Sequence, residues 1–123
     1  MKHRVLVVDD DRLVADTLTL IFRAHGYESE AVYSAAEGLE RARTYAPGLM
    51  LCDVSMPHES GLQLAQKMHQ EMPSCKMLML SAYSTNAAHV ELQASRLKTN
   101  LKLLKKPCRP ELLLREATAL LQA

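Results

Sequence analysis

The stretch Arg4–Val14, RVLVVDDDRLV, runs four aliphatic residues, Val5–Val8, directly into three consecutive carboxylates, Asp9, Asp10 and Asp11. A short, unbroken, β-branched run reads as a strand covered on both faces, the mark of a central strand in a parallel sheet. Three adjacent acids repel one another, and holding them together is costly unless a positive group sits among them. The fold then turns on whether this strand is repeated, and the chemistry on what else arrives at the same end.

It is repeated. Strand-like runs recur about every 24 residues: Arg4–Val8, Ser29–Tyr33, Leu49–Cys52, Lys76–Leu80 and Leu101–Leu104. Helical patterns fill the gaps. Val14, Leu18, Ile21 and Phe22 form one apolar stripe, stopped by Gly26. Ser34-Ala-Ala-Glu37 reads as a capping box opening a second helix that ends before Pro47. Leu62 to Glu71 forms a third, closed by Pro73. Asn86 to Arg96 fits a fourth, and Pro110 opens a last one that runs to the carboxyl terminus.

Alternating strands and helices imply a doubly wound α/β fold, a parallel sheet with helices on both faces. VLVV, LMLC and MLML are apolar throughout and belong in the centre; EAVYS and LKLLKK mix polar and apolar and suit the edges. That composition fits the flavodoxin-like order 2-1-3-4-5.

The totals agree with one soluble domain over residues 1–123: 24% charged, 48% hydrophobic, net charge +1. No aliphatic run approaches the roughly 20 residues of a membrane span, and the amino terminus enters a strand rather than a signal peptide. A cytoplasmic location is expected. Cys52, Cys75 and Cys108 form no CxxC pair and read as small hydrophobes. A basic stretch, Arg96, Lys98, Lys102, Lys105, Lys106 and Arg109, reads as a solvated face, with an acidic docking partner as the alternative.

In such sheets the ligand site lies beyond the carboxyl ends of the strands. Strand one ends in Asp9-Asp10, strand three in Asp53, strand four in Ser81 and strand five in Lys105-Lys106-Pro107; the second strand contributes nothing. Each residue has a plainer reading alone. Asp11 suits a helix cap better than a ligand, Ser81 a turn, and a single lysine a solvated surface. Their coincidence at one rim favours a functional cluster. Clustered carboxylates suit Mg²⁺, which takes one or two of them and keeps several waters. A carboxylate there can act as a nucleophile toward phosphorus, forming an acyl phosphate, while a hydroxyl and a lysine hold the phosphoryl oxygens.

With those residues in place, the chain resembles the receiver domains of two-component response regulators over essentially its whole length. The motifs are the acid pair, Asp53-Val-Ser-Met-Pro57 with Gly61 eight residues after the acid, Leu80-Ser81-Ala82, and Lys106-Pro107. The resemblance implies that Asp53 is the phosphoacceptor. It implies that Asp10, Asp53 and the Ser55 backbone carbonyl bind Mg²⁺ directly, with Asp9 helping through water, and that Ser81 and Lys106 hold the phosphoryl group. Pro57 and Gly61 would shape the loop. Of the two lysines, Lys106 precedes the proline, and alternation along a strand turns Lys105 away. The implied partners are a sensor histidine kinase or histidine phosphotransfer protein as donor, and a downstream protein or fused output domain as target. The domain would assist its own phosphorylation and dephosphorylation without being an enzyme in the usual sense. Neither membrane association nor direct nucleic-acid binding is expected.

The chain departs from the family pattern at Leu103, where an aromatic is common, and at Cys108, after the proline. The segment between Ser81 and Lys106 is also longer than is common. Two alternatives follow from the residues. One is a receiver-like interaction module that works without phosphate. The other is a small phosphohydrolase of the haloacid-dehalogenase type using Asp9, disfavoured by Leu13 and by the lack of length for a cap domain.

Overall fold

The computed structural model describes residues 2–56, 59–81, 101–106 and 108–122. Its strands are β1 (Arg4–Val8), β2 (Glu28–Val32), β3 (Leu49–Asp53), β4 (Lys76–Ser81) and β5 (Leu101–Lys105). Its helices are α1 (Arg12–Ala24), α2 (Ala35–Tyr45), α3 (Gly61–Glu71) and α4 (Pro110–Gln122). The expected helix over 86–96, together with Pro57 and Pro107, lies outside the described residues.

The five strands are parallel in the order β2-β1-β3-β4-β5, the arrangement expected from composition. Val5–Val8, Leu49–Cys52 and Met77–Leu80 are all buried, whereas β2 and β5 are largely half-exposed, as edge strands can be. Each face of the sheet carries its own core. Leu6, Val8, Met50, Cys52, Met77 and Met79 meet Ala35, Ala42, Leu64 and Met68 of α2 and α3. Val5, Val7, Leu49, Leu51, Leu78 and Leu80 meet Phe22 of α1 and Leu113 and Ala117 of α4. Burying each such large aliphatic side chain contributes about 1.5–3 kcal/mol.

Local chemistry sets the helix ends. The Asp11 carboxylate accepts from the N–H groups of Leu13 and Val14, so it is the cap of α1. Ser34 Oγ accepts from Glu37 N–H at 3.1 Å, but the Glu37 carboxylate reaches the Tyr33 N–H and the Ser34 hydroxyl instead of closing the expected box. The full box is at Ser60–Gln63, and it starts α3 one residue earlier than periodicity predicts, at Gly61. α1 closes through Gly26 at φ 90°, α2 through Ala46 at φ 53°. No helix among the described residues is long and apolar enough to cross a membrane.

Candidate functional site

Parallel pairing brings the carboxyl ends of β1, β3, β4 and β5 to one rim, and the polar residues gather there. Asp9 stays in register one residue past β1 because its N–H donates to Val32 O. Its side chain is only 3% exposed, and Oδ1 accepts from Asp11 N–H at 2.9 Å. Asp10, beside it, is exposed. Asp53 closes β3 at 8% exposure. One of its oxygens, Oδ1, accepts from Ser55 N–H at 3.1 Å, and the other, Oδ2, accepts from Lys106 Nζ at 2.9 Å. Ser81, also buried, ends β4, and its carbonyl accepts from Lys106 N–H at 2.8 Å, which seats the lysine's backbone at the rim. Lys105 is exposed, and the residue that reaches Asp53 is Lys106.

One oxygen from each of Asp9, Asp10 and Asp53 lies within 4.8 Å of the others. Such a set of hard oxygen donors, partly open to solvent, fits a divalent cation of the Mg²⁺ kind. Asp11 is not in the set; it is spent on the helix. The electrostatics agree. Burial, aided by the negative charges of Asp53 and Asp10, pushes the Asp9 pKa above the ordinary aspartate value, against the Asp11 N–H and Lys106. Burial also works against the Lys106 ammonium, but the bond to Asp53 and the charges of Asp53, Asp9 and Asp10 outweigh it and raise its pKa. Lys106 is the positive group among the acids.

Gly61 fixes the loop after Asp53. Its N–H donates to Val54 O at 2.8 Å, and a Cβ at this position would collide with the Asp53 carbonyl oxygen. Only glycine allows that approach. Cys52 and Cys75 are buried, and burial pushes the Cys52 thiol far up and the Cys75 thiol up to about 12, which disfavours the thiolate at both.

The second strand brings no side chain to the cluster, but it supports the cluster from the side. Besides Val32 O on Asp9, the residue after β2, Tyr33, donates its hydroxyl to Asp16 at 2.6 Å and carries the Arg12 guanidinium over its ring at 4.2 Å. β2 thereby ties down the first turn of α1, next to the acids. Partners 17 and more residues apart leave no local signal in the sequence.

The sequence matches the response regulator receiver domain family over residues 5–118. The chain belongs to that family. Among solved structures, a CheY-like receiver domain protein from Methanospirillum hungatei is similar at 28% identity with a TM-score of 0.91, covering 99% of this chain and 95% of that one. The Vibrio cholerae chemotaxis protein CheY4, at 23% identity and a TM-score of 0.86 over 98% of this chain and 99% of that one, shares the fold. The DNA-binding response regulator MtrA of Mycolicibacterium paratuberculosis is 29% identical over 82 residues, 67% of this chain and 36% of MtrA. The response regulator MprA of Mycobacterium ulcerans is 33% identical over 82 residues, 67% of this chain and 35% of MprA.

The chain thus spans about a third of the length of these two relatives. It is a receiver domain of two-component signalling, a family of signalling domains rather than of classical enzymes. Receiver domains bind Mg²⁺ at an acidic pocket and interact with histidine kinases and output domains, and this one has the acids. Neither the phosphate-independent module nor the dehalogenase-type phosphohydrolase is favoured. MtrA's name conflicts with the expectation of no nucleic-acid contact, and that expectation is withdrawn.

Proposed function

We propose that this receiver domain, residues 1–123, takes a phosphoryl group from a phosphohistidine donor onto Asp53 in a Mg²⁺-dependent step. The observation that carries the reading is the seating of Lys106 Nζ on Asp53 Oδ2 at 2.9 Å, with the Asp9 and Asp10 carboxylates alongside. An Asp53 carboxylate oxygen attacks phosphorus, the donor's N–P bond breaks, and its electron pair stays on the imidazole nitrogen. Lys106 then moves its hydrogen bond from the carboxylate to a phosphoryl oxygen, and the Ser81 hydroxyl donates to another. Asp10, Asp53 and the Ser55 carbonyl would hold the cation, with Asp9 acting through water. Bound there, Mg²⁺ neutralises the acids and screens the incoming oxygens. The same groups, with water as the nucleophile, support slow loss of the phosphate.

The donor is a sensor histidine kinase or histidine phosphotransfer protein in the cytoplasm, and the target is a downstream protein or a fused output domain. Phosphorylation adds about −1.5 to −2 charges at neutral pH. A charge-assisted bond to Lys106 contributes about 1.5–3 kcal/mol and one to Ser81 about 1 more. A swing from 1:99 to 99:1 takes about 5.5 kcal/mol, so these two contacts alone give a partial shift. The target's preference for the phosphorylated form supplies the remainder.

Intact-mass analysis after acetyl phosphate tests the reading. One phosphate that needs Mg²⁺ and disappears in Asp53→Asn is the expected result. An adduct that persists in Asp53→Asn, or none in wild type with Mg²⁺ demonstrably bound, would overturn it.

A further inference from the structure

Every methionine after Met1 belongs to one side of the sheet. Met50, Met68, Met77 and Met79 lie in the core shared with α2 and α3, and Met56 and Met72 pack against it; the core shared with α1 and α4 has none. Within that layer Met79 occupies a particular place. It pairs across the sheet with Cys52 of β3 on one side and Leu103 of β5 on the other. Cys52 immediately precedes Asp53, Leu103 lies three residues before Lys106, and Met79 lies two before Ser81. One row of the sheet therefore runs beneath Asp53, Ser81 and Lys106.

Met79 also touches the start of α3. Gly61 lies against the Asp53 carbonyl oxygen, and the Met79 methyl closes on the same spot: a Cβ on Gly61 would collide with that oxygen and stand 2.9 Å from Met79 Cε. The Asp53 carbonyl, Gly61 and the Met79 methyl therefore converge on one point, and a displacement of either backbone reaches Met79. Met79 is wholly buried, and Leu103, which packs on the same core, lies in its path toward the edge strand. A thioether with three rotatable bonds can change rotamer without opening a void, which a branched side chain cannot do as readily.

We propose that Met79 is the coupling residue of this domain, passing a change at Asp53 and Gly61 across the sheet to Leu103 and β5. This rests on Asp53 being the phosphoacceptor. It assigns no chemistry to Met79, which acts only by how its side chain packs.

The test is backbone NMR of the full chain titrated with beryllofluoride and Mg²⁺, in wild type, Met79→Leu and Met68→Leu. Ser55 reports occupation of Asp53, and Leu101–Lys105 report the response of β5. Volume-conserving swaps keep the fold, and circular dichroism checks this. In wild type both sets of signals should move. In Met79→Leu the Ser55 shifts should persist while the β5 shifts fall by at least about two-fold. Met68→Leu, in the same layer but off the row, should leave both as in wild type. An undiminished β5 response in Met79→Leu, or an equal loss in Met68→Leu, would overturn the assignment. Movement at Ser55 without any at β5 in wild type would do so as well, leaving the phosphoacceptor reading intact. No movement even at Ser55 would bring down that reading, and this inference with it.

Discussion

The two faces of the sheet are packed with different materials. The α1/α4 face is filled by Val5, Val7, Leu49, Leu51, Leu78, Leu80 and the single phenylalanine, Phe22, whose ring meets Tyr27 edge-on at 5.5 Å. The Tyr27 hydroxyl in turn meets Thr118 of α4 at 2.7 Å. The α2/α3 face mixes Leu6, Val8, Leu62 and Leu64 with Met50, Met68, Met77 and Met79, and it alone carries methionine among the described residues. Branched and aromatic side chains have few rotamers and hold one arrangement, whereas thioethers adapt to several. The helix ends repeat the contrast: α1 turns out through a glycine at positive φ, α2 through an alanine. The rigid face thus backs the helix tied to the acid cluster, and the adaptable face backs the loop after Asp53.

Truncation on each face puts that comparison at most risk. Phe22→Ala should cost about 3–5 kcal/mol, and Met68→Ala only about 2–3 because its thioether neighbours can close the gap. Urea unfolding measures both, and equal losses would break the comparison. At the rim, where the faces meet, Lys106→Met leaves the acids without their cation. We expect a loss of about 2 kcal/mol, below that for a fully buried pair because the lysine is 32% exposed, in metal-free buffer of low salt.

Asp9→Asn should act in the opposite direction. The folded pKa of Asp9 lies above its unfolded value, so the native state loses stability as pH rises between the two. The neutral amide escapes that loss. A gain of about 1 kcal/mol at neutral pH in metal-free buffer should therefore vanish as pH falls below the ordinary aspartate range. Thermal melts across pH would show it, and a gain that grows toward acid would refute it. The smallest effect is expected at Ala46, where φ 53° suits glycine. Ala46→Gly should raise stability by about 0.5 kcal/mol, with no comparable gain available at the α1 end.

Much of this was legible because the signals are short in range. Apolar runs separated central from edge strands, and strand ends named Asp9, Asp10, Asp53, Ser81 and Lys106 as neighbours. Its place before the proline, as in the family motif, chose Lys106, and period-two alternation then turned Lys105 away. The structure brings these residues together; their roles wait on the phosphorylation experiment. What was missed depends on distance in sequence. The Tyr33–Asp16 bond, the Arg41–Glu30 and Arg43–Glu71 forks, and the gathering of methionines on one face each join residues that only the finished sheet brings together. The Ser60–Gln63 box was local and readable, and the apolar stripe beginning at Leu62 overshadowed it.

Lys106 reaches the acids from the end of β5, a strand that pairs among the described residues with β4 alone. The groups at the rim come from positions 9, 10, 53, 81 and 106, so no fragment short of the whole sheet contains them. Chemical competence in this domain is accordingly a certificate of complete assembly. A newly made chain whose outer strand has not docked presents three acids and no cation, and on the proposed reading it draws nothing from the donor that its folded siblings share.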